Sequence, residues 1–285
     1  SHGGTNVLPG QAIAGSNGGI FRIYADGSYD FDPNGEYDSL AVGESEQSSV
    51  TYTVSDGKGG TDTATLEITI NGVNNPPVAE DDQVISDASG VTIDVLNNDS
   101  DVDTLDMLTI TEIDGTAISV GSPVTTTEGV VTLNGDGTLT FVPDSGFTGN
   151  QTSFDYTISD SNGGTDTATV KVDVVRVNIT DDNSIDASLA QQNTPDGTLA
   201  SIDDLSNTEI TGSIPQGGSV VSLVISDGTN TITVDPNTIA IFPNGSFTTT
   251  VDTTGFDDGN ISVNLVAQNS QGDTGTSTDT IYKDT

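Results

Sequence analysis

Tyr52–Ile70 reads YTVSDGKGGTDTATLEITI and Tyr156–Val174 reads YTISDSNGGTDTATVKVDV, the same pattern 104 residues apart. In both, apolar and small polar residues alternate at period two on either side of a Gly-rich turn. That predicts a strand, a tight turn and a longer strand, the closing hairpin of a β-sandwich. A second pair supports the repeat: Ala25–Pro33 (ADGSYDFDP) and Gly135–Pro143 (GDGTLTFVP) carry Asp26 and Asp136, 110 residues apart. Two homologous modules therefore stand in tandem.

Working outward, Asn74-Asn75-Pro76-Pro77 reads as a stiff polar linker. Residues 1–76 form a first module lacking its opening strands, and residues 77–176 a second. From Val177 the pattern changes. Strands are predicted at Val220–Ser226, Thr231–Val234, Ser246–Val251, Ile261–Ala267 and Thr276–Tyr282, with Asp227-Gly228 and Asn244-Gly245 at hairpin turns. Residues 177–285 thus make a third module, in which the long connection Leu189–Asn207 reads as an irregular crossover between strands, with a binding loop as the alternative. No amphipathic helix is predicted. The expected fold is all-β, three tandem Ig-like or cadherin-like antiparallel β-sandwich domains in an elongated arrangement, as 285 residues allow.

Composition sets the physical problem. The chain has 43 Asp plus Glu against 5 Lys plus Arg, a formal net charge of -38, and only 32% hydrophobic residues. Such a balance favours disorder unless patterned strands and bound counter-ions oppose it. Clustered basic residues are missing, which excludes nucleic acid and anionic membrane surfaces as partners. With no cysteine, neither disulfides nor thiolate metal sites can brace the small cores. Oxygen-ligated hard cations remain. No run of about 18 apolar residues occurs and no signal peptide opens the chain, the pattern expected of an interior, soluble piece of a longer secreted protein with no direct membrane insertion.

Topology predicts where the acids meet, because the B-C and F-G turns of a seven-stranded sandwich share the pole at which the linker arrives. In the second module the leading segment supplies Glu80, Asp81 and Asp82, the B-C loop supplies Asn98, Asp99, Asp101 and Asp103, and the F-G turn supplies Asp160 and Asp166. Three pieces of chain would crowd carboxylates that repel unless a divalent cation joins them. Calcium suits an all-oxygen, flexible site, whereas zinc wants imidazole or thiolate and magnesium keeps its waters. The loop is not an EF-hand: Asp99, Asp101 and Asp103 fit its first, third and fifth positions, but Thr104 and Ile110 occupy the sixth and twelfth. In the third module Asp181, Asp182, Asp227 and Asp273 are the equivalent candidates. In the first, Asp56 and Asp62 occupy the F-G turn without a leading strand to complete a site.

These residues resemble known families. Tyr52 through Pro77, with Asp26–Pro33 and Leu40–Glu44, is similar to the VCBS repeat of bacterial RTX adhesins. Pro77–Asp82 with Ile93–Asp103 resembles the cadherin-like, tandem-95 type of repeat, and the third module resembles a bacterial Ig-like domain. The resemblance implies a calcium-rigidified extender of a giant surface adhesin serving cell adhesion and biofilm attachment, its partners being neighbouring domains of the same protein. Asn75 stands where the usual linker has Asp, which lowers the charge of the first junction. The RTX nonapeptide repeats do not occur here, which places the segment upstream of them.

A calcium-dependent glycan- or peptide-binding region of the same adhesin is the alternative, though no tryptophan offers a stacking platform. An enzyme is disfavoured. The sole histidine, His2, is terminal, and neither a G-x-S-x-G nor an H-E-x-x-H motif occurs. The charge field also opposes docking of like copies, so a monomer is expected.

Overall fold

The computed structural model describes residues 8–180, 208–257 and 259–283. These residues are all-β, with short 3-10 turns as their only helical elements. By contact density the chain divides into two compact units: Ser1–Ala79, Asn98–Thr109 and Ile158–Thr167 form one, and Glu80–Asn97, Ile110–Thr157 and Ala168–Thr285 form the other.

In the first unit, β1 (Ala12–Ala14), β2 (Ile20–Ile23) and β3 (Tyr29–Asp32) make an antiparallel sheet in which Phe21 faces Phe31. β4 (Ser45–Ser55) and β5 (Thr61–Asn71) form the long hairpin anticipated from the repeat, Val50 opposite Leu66. The core is small. Phe21, Tyr37, Ala41 and Val50 are buried, the Phe21 and Phe31 rings lie 4.8 Å apart, and the buried Ser48 hydroxyl donates to Gly18 O at 2.7 Å. Gly19, at φ 71°, is required here, since a Cβ would stand 2.4 Å from the Phe31 ring.

Residues 82–174 build two sheets. One is formed by β6 (Asp82–Ser86), β8 (Thr109–Ile113), β9 (Thr116–Ala117), β13 (Gln151–Ser159) and β14 (Thr165–Val174), in the order β6-β14-β13-β8-β9. The other is formed by β7 (Val91–Ile93), β10 (Pro123–Thr125), β11 (Gly129–Leu133) and β12 (Leu139–Pro143), in the order β10-β11-β12-β7. Period-two burial is complete on the inner face: Phe154, Tyr156 and Ile158 of β13, then Ala168, Val170, Val172 and Val174 of β14. Phe141 stacks on Phe154 with centroids 5.6 Å apart. One pairing was not legible beforehand. β6 joins the edge of β14 in parallel, Val170 opposite Asp82 through Val174 opposite Ser86.

The remaining strands are β15 (Arg176–Thr180), β16 (Thr208–Ser213), β17 (Ser219–Ser226), β18 (Thr231–Val234), β19 (Ala240–Ile241), β20 (Ser246–Val251), β21 (Gly259–Gln268) and β22 (Thr274–Lys283). They form sheets of order β15-β16-β20-β19 and β18-β17-β21-β22. Their core includes Ile210, Leu223, Ile225, Phe247, Ile261, Val263 and Leu265. The five strands expected here are present, two of them with the predicted ends. Asp227-Gly228 and Asn244-Gly245 sit in the β17-β18 and β19-β20 turns as read. The expected crossover 189–207 lies outside the described residues.

The repeats differ in burial. Val54 is 55% exposed, whereas its counterpart Ile158 is fully buried. Ile158→Ala should therefore cost about 2–5 kcal/mol. Val54→Ala should stay within about 0.5 kcal/mol. Urea unfolding of the two variants would check the contrast.

Candidate metal centre

The site begins with the turn between β13 and β14. Asp160, 2% exposed, points one carboxylate oxygen back into its own turn, where Oδ1 accepts the N–H groups of Asn162 (2.7 Å), Gly163 (3.0 Å) and Gly164 (3.0 Å). Oδ2 accepts Asn74 Nδ2 at 2.8 Å. Burial pushes this carboxyl up, but the Asn74 amide and the three turn amides together hold it below the usual carboxylate range.

A second piece of chain is the loop Asn98–Asp106. It is pinned to the leading segment by a two-way backbone bridge, Val78 N to Ser100 O (2.8 Å) and Ser100 N to Val78 O (3.0 Å). Within it Asp101 Oδ1 accepts Asp103 N at 2.9 Å, and the buried Asp103 accepts Asn75 N on Oδ2 at 2.8 Å. Asp106 Oδ1 accepts Asn162 Nδ2 at 2.8 Å. The third piece is the linker, where Asn75 Nδ2 donates to Asp38 O at 2.8 Å and Ala79 N donates to Asp166 Oδ2 at 2.9 Å.

The turn and the loop bring one carboxylate oxygen from each of Asp101, Asp106 and Asp160 within 4.8 Å of one another. Four further facts point the same way: Asn74 Oδ1, Asp101 Oδ2, Asp103 Oδ1 and Asp106 Oδ2 are buried and reached by no hydrogen-bond donor. Each of those side chains uses its other polar atom for a positioning bond and leaves this one unsatisfied. Anionic oxygens removed from water without a donor are costly, and like charges so close repel by several times thermal energy even in a moderately polarisable interior. A divalent cation with a taste for oxygen removes both costs. The donor set, carboxylates with one amide carbonyl and no nitrogen or sulfur, fits calcium.

The remaining candidates are distributed as follows. Asp166 fastens the linker, and Asn98 and Asp99 lie on the loop of the first unit. Glu80, Asp81 and Asp82 belong to the second unit. Asp81 Oδ1 accepts Thr169 N at 2.9 Å, Glu80 O accepts the Tyr156 hydroxyl at 3.0 Å, and Asp82 begins β6. Asp273 lines an open cavity with Asp81, Asp82, Gln83, Lys171 and Gln271. It does not meet Asp227. Ser226 pairs with Ser262 at one end of β17-β21 and Ser219 with Gln268 at the other, so the turns carrying Asp227 and Asp273 lie at opposite ends. Asp181 and Asp182 lie outside the described residues. Sequence reading missed Asp106 and Asn74. The spacing Asp101-x-Asp103-x-x-Asp106 was the available signal, three acids on one loop beyond the point where the EF-hand comparison fails.

Residues 3–72 match the family model of the bacterial cadherin-like domain, and residues 74–173 that of the bacterial Ig domain. Both are adhesion-type extracellular repeat domains. No curated protein sequence matches the chain. Similar solved structures include mouse cadherin-23 EC22-24, at 11% identity and TM-score 0.37 over 99% of this chain and 89% of that one. Protocadherin gamma B7 cadherin domains 1-4 follow at 15% and 0.34, over 95% of this chain and 66% of that one. A tetra-tandem repeat in the extending region of a large adhesion protein stands at 20% and 0.28, over 96% and 66%. The chain thus spans about two thirds of the length of the latter two.

Asp227 is a turn-building acid. The Asn230 side chain, then the amides of Asn230, Asp257 and Thr229, hold its carboxyl well below the usual range against a smaller upward push from burial. A carboxyl with a depressed folded pKa stabilises above its unfolded value near 4 and loses that contribution as pH falls through the folded value. Asp227→Ala should therefore be less stable than the parent at neutral pH, with the gap closing at strongly acid pH. Thermal melts across an acid pH series would read this.

Proposed function

We propose that this chain is a calcium-binding extender segment of a large bacterial surface adhesin, secreted and non-enzymatic, holding other domains of the same polypeptide away from the cell in adhesion and biofilm attachment. The observation that carries the reading is the set of four buried, donor-free oxygens on Asn74, Asp101, Asp103 and Asp106 beside Asp160. Matches to two adhesion-type domain families over adjacent stretches favour a tandem array. The VCBS-like and RTX-adhesin character rests on the sequence resemblance, and the division at residues 76 and 176 on the internal repeat and the Asn74-Asn75-Pro76-Pro77 linker.

In mechanism, calcium would be held by Asp101, Asp106 and Asp160, with Asp103 and the Asn74 carbonyl completing the oxygen set. The ion supplies charge neutralisation. The chain's own residues do the rest. Asn74 and Asn75 belong to the linker, and each bonds to a ligand carboxylate, so holding the ligands in place also holds the linker. Asp166 adds a fixed point at Ala79. A linker restrained at Asn74, Asn75 and Ala79 has lost most of its bending freedom, which is what an extender requires.

Extracellular calcium modules bind at about 0.1–1 mM. Millimolar calcium would then add about 1–3 kcal/mol per site to the folded state. For a domain of this size that is roughly 5 °C or more in Tm. Differential scanning calorimetry in calcium and in EDTA should show that rise in at least one transition. Asp101→Asn with Asp106→Asn should abolish it while leaving the EDTA melt at or above the parent's, because repulsion has been removed. A melting curve indifferent to calcium would overturn the proposal.

A further inference from the structure

The step from β14 to β15 leaves a single residue, Val175, between Val174 and Arg176. Its backbone is tied to one side of the step and its side chain to the other. Val175 N donates to Ser86 O of β6 at 2.9 Å, while the side chain is fully buried in the core that holds Ile210, Leu223 and Ile261. Ile85, the neighbour of Ser86, packs against that same core. Gly275 of β22 makes this approach possible, since a Cβ there would stand 2.1 Å from Ile85 Cγ2 and 3.2 Å from Val175 Cγ2. Its φ is not positive, so close packing rather than backbone conformation calls for glycine.

Polar groups close the joint further. Asn150 accepts Val174 N on its backbone oxygen at 2.8 Å and sends its side-chain amide to Ile214 O (3.4 Å) and Asn244 O. The Arg176 guanidinium lies 4.9 Å from the centroid of the Phe147 ring. Asp173, buried at the end of β14, accepts Gln83 Nε2 on one oxygen and Gln151 Nε2 on the other, each at 2.8 Å. Both of its oxygens are met by donors, in contrast to those of Asp101, Asp103 and Asp106. In the cavity where Asp81, Asp82 and Asp273 gather, Lys171 supplies a cation of the chain's own.

A hinge needs residues free of packing and backbone bonds, and residues 173–177 offer none. We propose that the β14-β15 junction is a fixed joint set by packing, which keeps its geometry without metal, so that the sheets on its two sides move as one body with or without calcium. The inference does not depend on the ion site, and it separates this joint from the linker 74–79, whose restraint the extender reading assigns to an ion.

The test uses the full chain, in which introduced cysteines are unique. Spin labels at Thr116→Cys and Thr231→Cys, exposed on β9 and β18, report the distance across the joint by pulsed electron resonance. A narrow distribution of the same width in calcium and in EDTA is expected. Gly275→Ala, which drives a methyl into Ile85, should widen it about twofold or more, and adding Ile85→Ala should narrow it again. Widening of the parent's distribution in EDTA would overturn the proposal by assigning the joint to a metal, and a broad distribution in both conditions would overturn it by revealing a hinge. An unchanged width in Gly275→Ala would overturn the packing argument. The parent's two measurements stand as a test even if that variant does not fold.

Discussion

An anionic oxygen withdrawn from water must meet a donor or a cation, and the organisation of the linker region follows from that constraint. Asp101, Asp103 and Asp106 each divide their two oxygens between tasks. One accepts a positioning bond, from Asp103 N, Asn75 N and Asn162 Nδ2 respectively, and the other is buried without a donor. Asn74 divides its amide in the same way, its nitrogen on Asp160 and its oxygen unsatisfied. Four independent side chains oriented by one atom and exposing the other form a preorganised shell. A merely solvated acidic loop would turn both oxygens outward, because nothing compensates for burying one.

The same constraint explains how so acidic a chain holds a folded state. At a formal charge of -38 each module folds against its own field, and the aliphatic strips of its strands are short. The sandwich answers with backbone amides. Asp160, Asp56 and Asp227 each accept N–H groups of their own turns, so the turn amides are satisfied by the charges that would otherwise repel. The charge that threatens the fold is thereby used to shape its loops, and only where three loops converge does a surplus remain for an ion to neutralise.

What the sequence disclosed was local. Period-two alternation with Asp-Gly or Asn-Gly turns located strands such as Thr231–Val234 and Ser246–Val251 to the residue, since strand pattern and turn chemistry act over a few residues. The parallel seat of β6 escaped because Asp81 and Asp82 read as ion ligands. Whether an acid at a strand start faces an ion or a neighbouring amide depends on which strand lies beside it, and that is a long-range fact. Asp106 escaped for a related reason. Its role depends on Asn162, which lies in another loop. The expected grouping of Asp227 with Asp273 failed on strand direction, which periodicity does not encode.

The repeat itself shows how little of a metal centre its most recognisable motif carries. Asp56 stands where Asp160 does and makes the same turn, accepting Lys58 N at 2.7 Å and Gly60 N at 2.9 Å. Yet Asp56 is exposed and Asp160 buried, because burial comes from Asn74 and the 98–106 loop, which the first repeat does not duplicate within the described residues. Asp62 differs from Asp166 likewise. Both bond the amide that follows, but only Asp166 also fastens a linker residue. The Ser-Asp-x-x-Gly-Gly turn is thus a scaffold that orients one carboxylate. Ligand number, and with it affinity, is decided by chain arriving from elsewhere, so the number of such turns in an array need not equal the number of ions it binds.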